Sequence, residues 1–163
     1  DIRGMELRDK LSIKIIKIMK RKILKKWEKE INKVGNEIEY FRPKEGTITF
    51  KKTVYNHRQL WKYICYKIIE KEDKISRSEY FENYDIDIPN SECFLCEYIK
   101  YYQNRCSYCP LYWGKEYTCT GVYNTGLYTK YVHSNEWEEA YYYANKISKL
   151  PVKKGIKEEI KRR

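Results

Sequence analysis

Five of the six cysteines lie between Cys93 and Cys119, in two C-x2-C pairs and one single residue. Cys93-Phe94-Leu95-Cys96 and Cys106-Ser107-Tyr108-Cys109 are separated by nine residues, and Cys119 follows. Two residues between cysteines let both thiols turn inward on one tight turn. Two such turns facing each other supply the four thiolates of a closed tetrahedral site. The simplest ligand set is Cys93, Cys96, Cys106 and Cys109, with Cys119 as a substitute because Gly114 and Gly121 let the loop fold back. Sulfur-only ligation suits Zn²⁺, which needs no redox partner; an iron–sulfur centre uses the same ligands. A closed four-thiolate zinc has no open position for water, so its role is structural.

Other chemistry finds little support. The two histidines, His57 and His133, are isolated in sequence. His57 precedes Arg58 and reads as a surface histidine near a helix start. No metalloprotease, nucleophile-elbow, phosphate-loop or zinc-deaminase signature occurs, and no histidine stands beside the cysteine pairs as a nuclease base would. The expectation is a protein that is not an enzyme. No apolar run approaches the roughly 18 residues of a membrane span, and the start carries no secretory h-region. Paired cysteines without such a signal point to reduced thiols in a cytoplasm.

The net charge of +11 is unevenly placed. Residues 7–33 hold eleven Lys/Arg against three Asp/Glu, and residues 151–163 hold six against two, while residues 34–150 balance. Basic end segments favour phosphate or another polyanion. Lys14, Lys17, Arg21, Lys25, Lys153, Lys154, Arg162 and Arg163 are the candidate phosphate contacts, with a solvated basic face as the bland alternative. Tyrosine is the second anomaly: 12 of 18 fall between Tyr98 and Tyr143. Exposed tyrosines serve protein interfaces or stack on unpaired bases. Tyr141, Tyr142 and Tyr143 are the candidate interface, unless Tyr, Lys, Ile and Asn are simply raised by an AT-rich genome.

Leu7 to Val34 reads as a long basic helix. In its second half Ile16, Ile23, Leu24, Trp27, Ile31 and Val34 share one side. Leu7, Leu11, Ile15 and Ile18 point elsewhere, so the helix kinks near Lys20–Lys22 or its halves meet different partners, including a second copy. Glu37–Phe41 and Thr47–Val54 read as a β-hairpin. Asn56 caps a second helix with Leu60, Trp61, Ile64, Cys65 and Ile68 on its core face, Cys65 being a small buried hydrophobe. Ser76–Tyr84 is a short helix, and residues 85–90 an extended linker. The last helix runs from Asn135 to Leu150, with Asn135 and Glu138 as a capping box. The fold class expected is α+β, with a helix–hairpin region over 1–89 and a zinc lobe, closing helix and basic tail over 90–163.

The order Cys93-x-x-Cys96, Cys106-x-x-Cys109-Pro110-Leu111, Gly114, Cys119 and a closing helix with Trp137, Ala140 and Ala144 resembles small phage and mobile-element proteins. The resemblance covers about a third of the chain, Cys93–Ala144. It implies a metal-stabilised accessory protein that acts on host or phage machinery, in the host cytoplasm, and carries over no catalytic residue. Two readings follow. One is a zinc-stabilised protein that engages nucleic acid or a nucleoprotein through its basic ends. The other is an anti-defence or accessory factor that inhibits a host protein complex through a Tyr-rich surface.

Overall fold

The computed structural model describes residues 6–34, 50–86, 89, 93–102, 109–114, 119–120 and 126–153. Seven helices occur among the described residues: α1 Leu7–Ile18, α2 Lys20–Val34, α3 Phe50–Lys71, α4 Arg77–Asn83, α5 Phe94–Tyr102, α6 Leu127–Val132 and α7 Trp137–Ser148. Among those residues no strand forms; extended pairing is limited to one isolated antiparallel bridge, Leu111 with Val152. The expected α+β class is therefore replaced by a helical one.

The clearest departure is in the second strand expected of a hairpin, Thr47–Val54, whose described part, Phe50–Val54, is found as the first turns of α3. The residues are β-branched and aromatic, but Phe50, Thr53, Val54 and His57 recur at helical spacing and all are buried. Burial along a 3.6-residue period overrides a strand preference that is only a fit to a half-buried pleat. Residues 37–41 lie outside the described residues. Asn56, expected as a helix cap, sits inside α3 and is itself buried.

Helix α3 is the hub. It packs against α2, α4, α5 and α7, and Ile64, Cys65, Ile68 and Ile69 are wholly excluded from solvent. Cys65 thus lies in the core, as its helical face implies. The buried cluster continues from Ile16 through α3 to Leu95, Leu111, Ala140 and Leu150, across the expected boundary at residues 89 and 90.

The N-terminal helix breaks at Met19, whose ψ of 10° ends α1. The hydrogen-bond ladder nevertheless passes through it, Met19 N–H donating to Ile15 O and Ile23 N–H to Met19 O. Helix α1 packs mainly on α7 and α2 mainly on α3, and the two halves share α7 through Trp27. Trp27 anchors α2: it is 3% exposed, and its indole Nε1–H donates to Tyr141 Oη at 2.8 Å across the α2–α7 contact. Helix α7 starts at Trp137 after Glu136 and has no side-chain cap hydrogen bond, so the Asn135–Glu138 capping box does not form. Its apolar face is held by Ala140, Ala144 and Ile147, whose small or branched side chains allow close approach to α3.

Candidate metal centre and basic surface

Cys93 immediately precedes α5, and Cys96 lies in its first turn. Helix α5 is fixed because Phe94, Leu95, Tyr98 and Ile99 are buried, with Phe94 edge-on to Phe81 and Tyr98 edge-on to Phe50. Cys109 sits on a different segment, placed by the return of the chain after α7. Tyr112 N–H donates to Pro151 O at 2.8 Å and Lys153 N–H to Pro110 O at 2.9 Å, which clamps residues 110–112 beside 151–153. Cys119 is held through its carbonyl, which accepts from Tyr128 N–H at 2.9 Å.

These four cysteines converge. Cys93, Cys96, Cys109 and Cys119, with Leu95, Ile99 and Trp113, line a cavity of about 20 Å³. That is room for roughly one water-sized body, since about 10–15 Å³ on this measure admits a water. The sulfurs are set up as acceptors. Cys93 Sγ takes hydrogen bonds from the Cys96 thiol and from the backbone N–H groups of Cys96 and Leu95. Cys109 Sγ takes one from the Leu111 backbone N–H and one from Trp113 Nε1–H at 3.3 Å. The hydrogen bond from Cys96, above all, holds the Cys93 thiol below its ordinary range despite its burial, and donating it raises the Cys96 thiol. Burial raises the Cys109 thiol. Among the described residues, no three histidine, cysteine, aspartate or glutamate side chains are already drawn together as a closed metal-holding group. The donor set fits a thiophilic ion in chemistry and in room; closing on it requires the sulfurs to draw in to about 3.8 Å from one another around a 2.3 Å bond. Cys106 lies outside the described residues.

The basic residues separate into two groups. Lys14, Lys17, Arg21 and Lys25 are all exposed and follow one another at spacings of three and four residues along α1 and α2. They form one row about 16 Å long at 1.5 Å per residue. Among the described residues the ion pairs use other cations, such as Lys20 with Glu72 and Lys62 with Glu30. Lys153 is elsewhere, partly buried against Pro110 beside Cys109. Lys154, Arg162 and Arg163 lie outside the described residues.

Half of the tyrosines whose burial is described are core. Tyr141 and Tyr143 are buried, so neither can offer a free ring to a partner. Tyr142 is half-buried; its hydroxyl donates to Asp9, tying α7 to α1, and the Lys146 ammonium lies over its ring at 4.4 Å. Tyr63, Tyr80 and Tyr84 form a ring cluster with centroids 5.0–5.6 Å apart. Among the described tyrosines Tyr55 and Tyr112 are the exposed ones. The sequence offered a signal for this, because Tyr141 and Ala144 share a helical face with Trp137 and Ile147.

His57 is also displaced from its expected place. It is 1% exposed, between Trp61 and Trp113 at centroid distances of 6.3 and 6.2 Å. Neither ring nitrogen has a hydrogen bond of good geometry, and burial pushes its pKa down to about 3. His57 is therefore a neutral core ring. No described helix is long and apolar enough to cross a membrane. No protein-family model matches the chain, and no curated protein or solved structure matches it.

Proposed function

We propose that this chain is a non-enzymatic, zinc-stabilised helical protein that binds nucleic acid, or a nucleoprotein through its nucleic acid, by phosphate contacts from α1 and α2. The observation that carries the reading is the exposed row Lys14, Lys17, Arg21 and Lys25 on a stretch whose opposite side is fastened to the core by Ile13, Ile16 and Trp27. A basic helix anchored on one side presents its cations on a backbone that is already ordered, so binding costs only the ordering of the side chains. Its length of about 16 Å exceeds the roughly 12 Å width of a DNA major groove, enough to reach phosphates on both sides. Such contacts position the protein without reading sequence. Burial of Tyr141 and Tyr143 withdraws the support that a Tyr141–Tyr143 surface gave to inhibition of a host complex by protein contact.

Fluorescence anisotropy with labelled single- and double-stranded DNA and RNA, across a salt series, tests this directly. Four phosphate contacts predict a log–log salt slope of about −3.6 on duplex DNA. Replacing Lys14, Lys17, Arg21 and Lys25 together by alanine should flatten the slope by that amount. Binding that ignores salt, or no binding at low salt, would sink the proposal.

A further inference from the structure

We infer that the metal's four ligands are Cys93, Cys96, Cys109 and Cys119, so that Cys106 is the sulfur left over from the two C-x2-C pairs. The inference rests on the zinc reading above and adds its ligand set. Regularity of spacing favours the paired set, with Cys106 beside Cys109; the four cysteines placed together at the cavity, Cys93, Cys96, Cys109 and Cys119, already fill the four positions of a tetrahedral ion. Three separate segments deliver one or two thiols each to a space of about 20 Å³: the start of α5, the 109–114 turn and the loop before α6. The ion would join these three segments at one point.

Two further observations support the assignment. Backbone N–H groups reach the sulfurs of Cys93 and Cys109 from two residues ahead, Leu95 and Leu111, and Cys96 adds its own N–H to Cys93. Hydrogen bonds of this kind offset the negative charge that thiolates carry on a metal. Trp113 Nε1–H adds a side-chain donor to Cys109 Sγ, and the Trp113 ring packs edge-on to His57 on α3. The site is thus orientated by the helical core through its supporting shell as well as by its own loops. Lys153, pinned near Cys109 by the same chain pairing, contributes positive charge.

The test uses the full chain, purified with its metal. Metal analysis should give one zinc per chain, and alkylation with iodoacetamide followed by peptide mass spectrometry should label Cys106 while sparing Cys93, Cys96, Cys109 and Cys119. Adding a chelator should open those four together. Cys106→Ser should keep one zinc with unchanged affinity in a competition titration, while Cys119→Ser weakens it on the order of 100-fold or more. Protection of Cys106 with labelling of Cys119 would overturn the ligand set and leave the zinc reading standing. A chain that takes up no zinc, or that carries a Cys93–Cys96 disulfide in place of metal, would overturn both. The labelling arm uses the unmutated protein, so a Cys119→Ser variant that fails to fold does not blunt the result.

Discussion

Helices α3 and α1 are both rich in apolar residues, yet they spend them in opposite ways. Helix α3 buries thirteen residues, including the polar Thr53, Asn56, His57 and Gln59. Helix α1 buries two, Ile13 and Ile16, and leaves Leu7, Leu11, Ile15 and Ile18 at 71%, 50%, 50% and 84% exposure. Position in the fold, more than composition, decides the fate of a side chain: α3 is surrounded by four helices, whereas α1 touches α7 along one side. A residue on α3 is chosen for how it fits. A residue on the outer face of α1 is free of that constraint, which leaves the face available for a surface role.

Substitution in the hub should show this most strongly. Ile68→Ala removes a fully buried side chain from a site walled by other helices, and should cost about 2–5 kcal/mol. Urea denaturation followed by circular dichroism measures it through a lowered midpoint at constant slope. A loss under 1 kcal/mol would mean that α3 is not the rigid centre described.

The contact that fastens α2 to α7 should give the next largest effect. Tyr141→Phe leaves the rings packed but strips the acceptor from buried Trp27 Nε1–H. An unsatisfied buried donor costs about 1–3 kcal/mol. The loss should be visible as a Trp27-dependent change in fluorescence on unfolding at lower urea. Asp9→Asn, which weakens the part-buried hydrogen bond from Tyr142 that ties α7 to α1, should cost less.

A third effect separates α3 from every surface position by its pH dependence. His57 has its proton affinity lowered by burial, from 6.5 to about 3. In that window the unfolded chain binds a proton and the folded chain does not, so its contribution to stability is complete above pH 6.5 and is lost as pH falls towards 3. Between pH 7 and 5.5 the loss amounts to about 1 kcal/mol. His57→Phe should flatten the profile by that amount relative to the parent, a difference in which proton uptake by the thiols cancels.

How much of this was legible in the sequence varies with the physical signal. The α3 core face could be read from Leu60, Trp61, Ile64, Cys65 and Ile68, because their period is helical and their flanks are not ambiguous. Its first turns could not, since Thr-Val-Tyr chemistry suits a strand locally and the deciding fact is burial against Tyr98 and its neighbours. The break at Met19 was announced by the change of apolar side between the two halves. His57 misled because an isolated histidine beside an arginine looks like surface, and nothing local reveals the two tryptophans that enclose it. The cysteine window suggests thiolate chemistry, but spacing alone does not bring Cys119 to the cavity that Cys93, Cys96 and Cys109 line. Only the pairing of residues 110–112 with 151–153 shows where Cys109 stands and what shares its cavity.

The smallest expected effect is the sharpest probe of the comparison. Leu7 and Ile18 are the most exposed apolar residues of α1, so replacing both by serine removes little buried surface. Surface changes of this kind stay within about 0.5 kcal/mol each. The double variant should therefore unfold at the parent's urea midpoint, at any protein concentration, and keep the parent's salt slope on nucleic acid because Lys14, Lys17, Arg21 and Lys25 are untouched. The alternative outcome is specific. If a second copy covers the stripe in solution, the parent's melting temperature will rise with protein concentration and the variant's will not, since mass action stabilises only the associated form. In that case α1 would be a buried helix like α3, with the partner copy supplying the enclosure that the fold itself does not.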